Sequence, residues 1–142
     1  MQCDIVSARK TVYSGEAKLI VAPGAAGELG ITPRHAPLMT TLLPGAVRVI
    51  ELDGKEVPIL IGGGIIEVMP HMVTVLADSA ARAHDFDESA ARRAKQRAQR
   101  VIDGTGGASE GMDIAEAKIM LKDTIEQLRA LERWRKQVEH RK

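Results

Sequence analysis

The chain has almost no aromatic residues. Phe, Tyr and Trp occur once each in 142 residues, 2% of the total. Its core must therefore be aliphatic, built from Val, Ile, Leu, Met and Ala. A sheet that stacks RNA bases, or a single-strand platform, needs several exposed rings, so that mode of recognition is excluded. Cysteine is as scarce. Cys3 stands alone, which excludes an internal disulfide and every multi-cysteine metal site. Net charge is small too: 20 Lys and Arg against 19 Asp and Glu leave +1, without the basic footprint of a nucleic-acid binder. No apolar run approaches the roughly 20 residues of a spanning helix. The opening MQCDIVSARK lacks the apolar run of a secretory signal. These absences point to one soluble domain with an appendage, or to a chain held at a membrane by other proteins. The length also excludes a (β/α)8 barrel of about 250 residues.

Proline is missing from one part only: all six fall before residue 85. Residues 1–84 read as sheet and residues 85–142 as helix, two domains with different periods. The first holds 7 basic and 8 acidic side chains and the second 13 and 11, so neither is strongly charged. In the first, Ala17, Leu19 and Val21 alternate with Glu16, Lys18 and Ile20, a period of two that turns one face to a core. Pro23–Gly30 reads as a loop or tight bend. Leu38–Leu43 is a run stopped by Pro44-Gly45, and Ala46–Leu52 follows. Asp53-Gly54 predicts a two-residue hairpin turn, with Val57–Ile61 returning. Pro58 marks an edge or a bulge. Gly62-Gly63-Gly64 interrupts before Ile65–Val68 and Val73–Ala77. Short strands at this spacing predict an antiparallel sandwich or flattened barrel. A βαβ alternative needs long crossovers, and no helical pattern precedes residue 85.

The second domain changes period. Asp85 can cap a helix and Glu88 can close a capping box. Ala90, Ala91, Ala94, Ala98 and Val101 form a small-residue stripe backed by Arg92, Arg93, Lys95, Arg97 and Arg100. Four glycines between Asp103 and Gly111 stop that helix. Ile114, Ala117, Leu121, Ile125, Leu128, Leu131 and Val138 predict a second. The helices, over about 86–102 and 113–139, should form an antiparallel hairpin on a flexible connection. Alanine buries little area, so the hairpin is weakly held and has two resting places, on the sheet domain or on a partner.

Catalytic signals are absent from the sequence. Gly62–Gly64 lacks the spacing and the Lys-Ser/Thr ending of a phosphate loop, and reads as close backbone approach or a bulge. His35, His71, His84 and His140 have no metal spacing. No nucleophile elbow accompanies a Ser/His/Asp set. His35 stands out because Thr32-Pro-Arg-His-Ala-Pro37 is a stiff loop suited to a contact surface. Arg129, Arg133, Arg135, Lys136, Arg141 and Lys142 suit the negative end of a helix dipole or an acidic partner.

The run Gly24-Ala-Ala-Gly27-Glu-Leu-Gly-Ile31-Thr-Pro33-Arg-His35-Ala-Pro37-Leu38 resembles the epsilon subunits of bacterial and chloroplast F-type ATP synthases. The match continues through Gly62-Gly-Gly-Ile-Ile-Glu67-Val68, Val73-Thr-Val-Leu-Ala-Asp78 and the two-helix tail. The resemblance implies a mainly β plus α fold, a ten-stranded flattened β-sandwich followed by a helical hairpin. It implies a central-stalk subunit with no catalytic residue and no cofactor, which couples ion-driven rotation of the c-subunit ring to the catalytic head through the gamma subunit. It implies that the hairpin can extend to the alpha and beta subunits and restrain ATP hydrolysis. Glu28 is then the c-ring contact and His35 the gamma contact. Arg129, Arg133, Arg135 and Lys136 are the positive charges offered to acidic segments of the head. The chain would be peripheral, on the cytoplasmic side of a bacterial plasma or inner membrane, or on the stromal side of a thylakoid.

An alternative is an ATP-sensing module of the same complex. Family members that bind ATP carry Ile/Leu-Asp-x-x-Arg-Ala at the start of the first helix. Here the stretch is Phe86-Asp87-Glu88-Ser89-Ala90-Ala91, and Ala90 removes the charge-assisted phosphate contact. Asp87, Arg92 and Arg93 are left as weak candidates, and little or no ATP binding is expected.

Overall fold

The computed structural model describes residues 1–104 and 113–140. Seven strands come first: β1 (Gln2–Ser7), β2 (Thr11–Gly24), β3 (Gly27–Ile31), β4 (Leu38–Glu51), β5 (Glu56–Val68), β6 (Met72–Ala77) and β7 (Ala80–Arg82). A 3-10 turn, Ala83–Asp85, leads to α1 (Glu88–Asp103) and α2 (Ile114–His140). The strands pair in the order β1-β6-β5-β4-β2-β3, with β7 on β5. β1 also pairs with β2, so the sheet closes on itself as a flattened barrel and leaves few open edges. The pairs are antiparallel except β1–β6, which is parallel. That one pair is closed by the whole intervening chain.

The ten strands implied by the resemblance are seven among the described residues. Two expected breaks lie inside strands. Pro44 pairs with Gly62 and Gly45 with Ile61, so β4 runs through Pro44-Gly45 and β5 through Gly62–Gly64. Cross-strand pairing outweighs the local turn signals there. The loop expected over Pro23–Gly30 narrows to Ala25-Ala26, because Pro23 pairs with Glu28 and Gly24 with Gly27. The Asp53-Gly54 hairpin forms but is wider than two residues. Leu52, Asp53 and Gly54 lie inside a closing bond from the Glu51 N–H to the Lys55 carbonyl, 2.8 Å. Pro58 sits where β7, which covers only Ile59–Ile61, has ended, so its missing N–H costs no bond on that side.

The alternating pattern fills the interior with Ile5, Ile20, Ile31, Ile59, Ile66, Val47, Val49, Val68, Val73 and Val75, all fully buried. Cys3 lies among them, and burial pushes its thiol up to about 12. The one tyrosine ties β2 to β4 through a 3.0 Å bond from its hydroxyl to Glu51 Oε2.

A second, smaller apolar cluster lies outside the barrel. It joins Ala46 of β4 and Leu60 of β5 to Ala130 and Leu131 of α2, with Ala83, Phe86 and Trp134 around them. Two of the three aromatic rings thus sit at the seam between the helices and the sheet. α1 rests mainly on α2 through its stripe, of which Ala91 and Ala98 are buried. The glycine-rich connection expected to be flexible lies outside the described residues.

Candidate functional site

The seam is built from small residues and a few polar ties. Between Val21 and Gly24 the register of β2 against β4 shifts. In that stretch the Pro44 carbonyl is free to take a hydrogen bond from Arg133 Nη1 of α2, 2.8 Å. Further along, Gly62 leaves room for Ser79, whose Oγ would stand 2.4 Å from a Cβ there, while Glu126 Cβ of α2 would be at an ordinary 3.4 Å. Gly64 lets the β6 backbone in, with the Leu76 carbonyl oxygen 2.2 Å from where its Cβ would be. The triple glycine therefore serves close approach, one of the two structural roles expected for it. Glu126 of α2 is pushed up by burial, with Asp78 of the sheet domain and Asp123 adding to it against Lys122 and Arg129.

At the start of α1 the cap is Asp87, not Asp85. Its Oδ1 accepts from the Ala90 N–H at 2.9 Å, while Asp85 ends the preceding turn. Glu88 is free for other partners. Its Oε2 takes Arg135 Nη2 at 2.6 Å and its Oε1 takes Arg135 Nη1 at 3.2 Å. Oε1 also takes Arg92 Nη2 at 2.9 Å. Arg135 first, and Arg92 next, hold the Glu88 carboxyl well below the usual range, at about 2. A depressed carboxylate stabilises the fold fully above its ordinary value of 4.5 and loses that contribution as pH falls toward 2. Acid titrations of the wild type and Glu88→Gln, followed by Trp134 emission, should therefore be offset above about pH 4.5 and converge by about pH 2.

The three weak nucleotide candidates are not brought together. Asp87 is the helix cap and lines a cleft of about 320 Å3 with Phe86, Ala90 and Leu60. Arg92 turns to Glu88, and Arg93 lines a separate groove with Arg97. Of the four cations assigned to the head, Arg133 and Arg135 bond to Pro44 and Glu88 while remaining exposed. Lys136 pairs with Glu132 at 3.6 Å, and Arg129 is exposed. Sequence reasoning missed Glu88 as a cross-helix partner. Its only local signal was an acid in the first turn, which a cap explains equally well.

Glu28 is exposed on the β2–β3 hairpin. It lines one groove with Pro23, Leu43, Arg133 and Lys136. His35 is half-buried in the loop between β3 and β4. That loop is tied to the β5–β6 turn by a 2.9 Å bond from the Arg34 N–H to the Pro70 carbonyl. From this turn an apolar strip crosses the outer sheet face. Met39 is 64% exposed, Leu76 56%, Met69 46%, Ile65 43% and Met72 39%. Ile65 lies directly opposite Leu76 on β6, and Met39 stands opposite Glu67 in the next outward row. The apolar side chains thus lie on β4, β5, β6 and the turn, with Thr41, Glu67 and Thr74 among them. A groove of about 620 Å3 extends it past Val6 to Ile119 of α2. Exposed apolar side chains gathered on one face and interspersed with polar ones suit a contact surface.

Residues 1–83 match the family model described as "ATP synthase, Delta/Epsilon chain, beta-sandwich domain". The ATP synthase epsilon chain of Stenotrophomonas maltophilia (strain K279a) is 50% identical over 140 residues, 99% of this chain and 98% of the relative. That of Alkalilimnicola ehrlichii is 50% identical over 136 residues, 96% and 95%. That of Xylella fastidiosa (strain Temecula1) is 47% identical over 140 residues, 99% and 98%. Among solved structures, a chain of the Euglena gracilis mitochondrial ATP synthase (OSCP/F1/c-ring in rotational state 1) shares the fold. Its TM-score is 0.59 at 19% identity, covering 91% of this chain and 79% of that one. With identity near one half sustained over almost its full length, the chain belongs to the ATP synthase epsilon chain family.

Proposed function

We propose that this chain is a non-catalytic central-stalk subunit of an F-type ATP synthase. It seats the gamma subunit on the apolar strip of β4–β6, with His35 at its margin. Glu28, on the β2–β3 tip, meets the c-subunit ring. Residues 85–142 form a second, regulatory domain that leaves its seam, reaches the alpha and beta subunits and restrains ATP hydrolysis. The chain couples c-ring rotation to the head without a catalytic group or cofactor of its own. It sits on the cytoplasmic side of the bacterial membrane through the complex.

The observation that carries the reading is the strip itself. Four large apolar side chains stand exposed on adjoining strands and Met69 on the turn between two of them, where a free surface strand face is ordinarily polar. A partner that covers it removes that area from water. Placing a charge within its Ile65–Leu76 pair should weaken capture strongly. Ile65→Asp is expected to lower retention of this subunit by a gamma-containing complex about 30-fold or more, as at an interface hot spot. The same complex, rebuilt with a chain ending at His84, should hydrolyse ATP faster than with the full chain. Unchanged retention of Ile65→Asp would remove the gamma assignment. Unchanged hydrolysis would remove the inhibitory one.

A further inference from the structure

The two helices bury little apolar area against each other. Ala91 and Ala98 of α1 and Ala117 of α2 are buried alanines, each removing only a methyl group from water. Polar ties across the pair therefore carry a larger share of the hold than they do in a leucine-rich hairpin. The two-pronged contact of Arg135 with Glu88 spans 47 positions of sequence and joins the first turn of α1 to the last turns of α2. Bidentate geometry is the strongest form of an exposed ion pair. Two positions earlier on α2, Arg133 is held by the Pro44 carbonyl.

We propose that Glu88 is a latch that sequesters Arg135, so that docking of the hairpin and its engagement of an acidic partner surface compete for the same guanidinium. This rests on the reading that the extended hairpin presents its basic end to acidic groups. Arg135 cannot satisfy both at once. Each partner therefore shifts the equilibrium by its differential hold on that side chain. Glu88 belongs to the closed state only, whereas Arg135 serves in both. Loss of Glu88 frees the hairpin and keeps its cation. Loss of Arg135 frees the hairpin and removes the cation. Arg92 also touches Glu88 but lies on the same helix, so it supports α1 without bridging to α2.

The test uses the full chain with Glu88→Gln, Arg135→Gln, Arg92→Gln and the double variant Glu88→Gln with Arg135→Gln. Amide exchange across 114–140 and Trp134 emission report docking. Glu88→Gln and Arg135→Gln should each raise the open population about two- to fivefold, the range of a well-formed exposed pair. The double variant should do no more than either single, and Arg92→Gln should match the wild type. Wild-type exchange in both singles, or a double equal to the product of the singles, would overturn the latch. So would an Arg92→Gln effect as large as that of Glu88→Gln. In the rebuilt complex, Glu88→Gln should deepen inhibition of hydrolysis while Arg135→Gln does not. If the exchange results hold and inhibition does not change, the latch stands and the inhibitory reading of the hairpin fails.

Discussion

Replacing Gly64 with alanine is expected to cost about 4 kcal/mol, combining overpacking against backbone with an unfavourable backbone conformation. Gly64 lies on β5 between Leu42 of β4 and Ala77 of β6. Its φ is +147°, and a Cβ there would stand 2.2 Å from the Leu76 carbonyl oxygen and 2.8 Å from Ala77 Cα. Both obstacles are backbone, so no rotamer change relieves them; β6 itself must move. A strand residue other than glycine also resists that φ. The loss is a large part of the roughly 5–15 kcal/mol that holds a domain folded. A urea titration followed by far-ultraviolet circular dichroism should show a clearly lowered midpoint with little change in slope. A loss under about 1 kcal/mol would mean that β6 yields easily, against the close packing expected of such a sheet. The tight β5–β6 approach at this position also sets Ile65 and Leu76 side by side on the outer face.

Ala130→Glu should release the helical pair and leave the barrel standing. Ala130 is fully buried against Ala46, Leu60 and Leu131. A carboxylate there enters an apolar seam without a partner, at a cost of about 3–5 kcal/mol. The seam's alanines cannot offset that, so undocking is the cheaper outcome. The barrel core is a separate cluster built on residues such as Ile5, Ile59 and Val75, and it loses nothing. Amide exchange should become fast through α1 and α2 while β5 stays protected, and Trp134 emission should move to the red. Continued protection of both helices would show that α2 is held chiefly by contacts away from Ala130.

Much of this was legible in local pattern. The change of period near residue 85 separates strands from helices because side-chain direction repeats every two residues in one and every 3.6 in the other. The alanine stripe marked the inward face of α1, and Ala91 and Ala98 are its buried members. The two rings Phe86 and Trp134, conspicuous in a chain with three, mark where that seam closes. Local signals failed where long-range pairing outweighed them. Pro44-Gly45 looked like a stop, yet its pairing with Gly62 and Ile61 keeps it within β4. Asp85 looked like a cap, but the 3-10 turn before α1 takes it, and Asp87 caps instead.

The site was less legible than the fold. Glu28 stands out in the chain only through resemblance, and His35 through resemblance and the stiff two-proline loop that carries it. The strip of Met39, Ile65, Met69, Met72 and Leu76 is not visible in any one strand, because each strand contributes one or two members to it. Glu88 gives no hint of its role until Arg135 arrives from 47 residues away, nor Pro44 until Arg133 arrives from 89.

By itself, then, the sequence determined an aliphatic sheet domain and two helices, since these follow from composition and from periods shared by near neighbours. Tertiary structure alone decided how the strands close, β1 running parallel to β6, and which apolar side chains share the outer face. It alone decided that two of the basic residues near the end of α2 are already occupied. Those features depend on contacts between residues far apart in the chain, whose pairing no local period specifies.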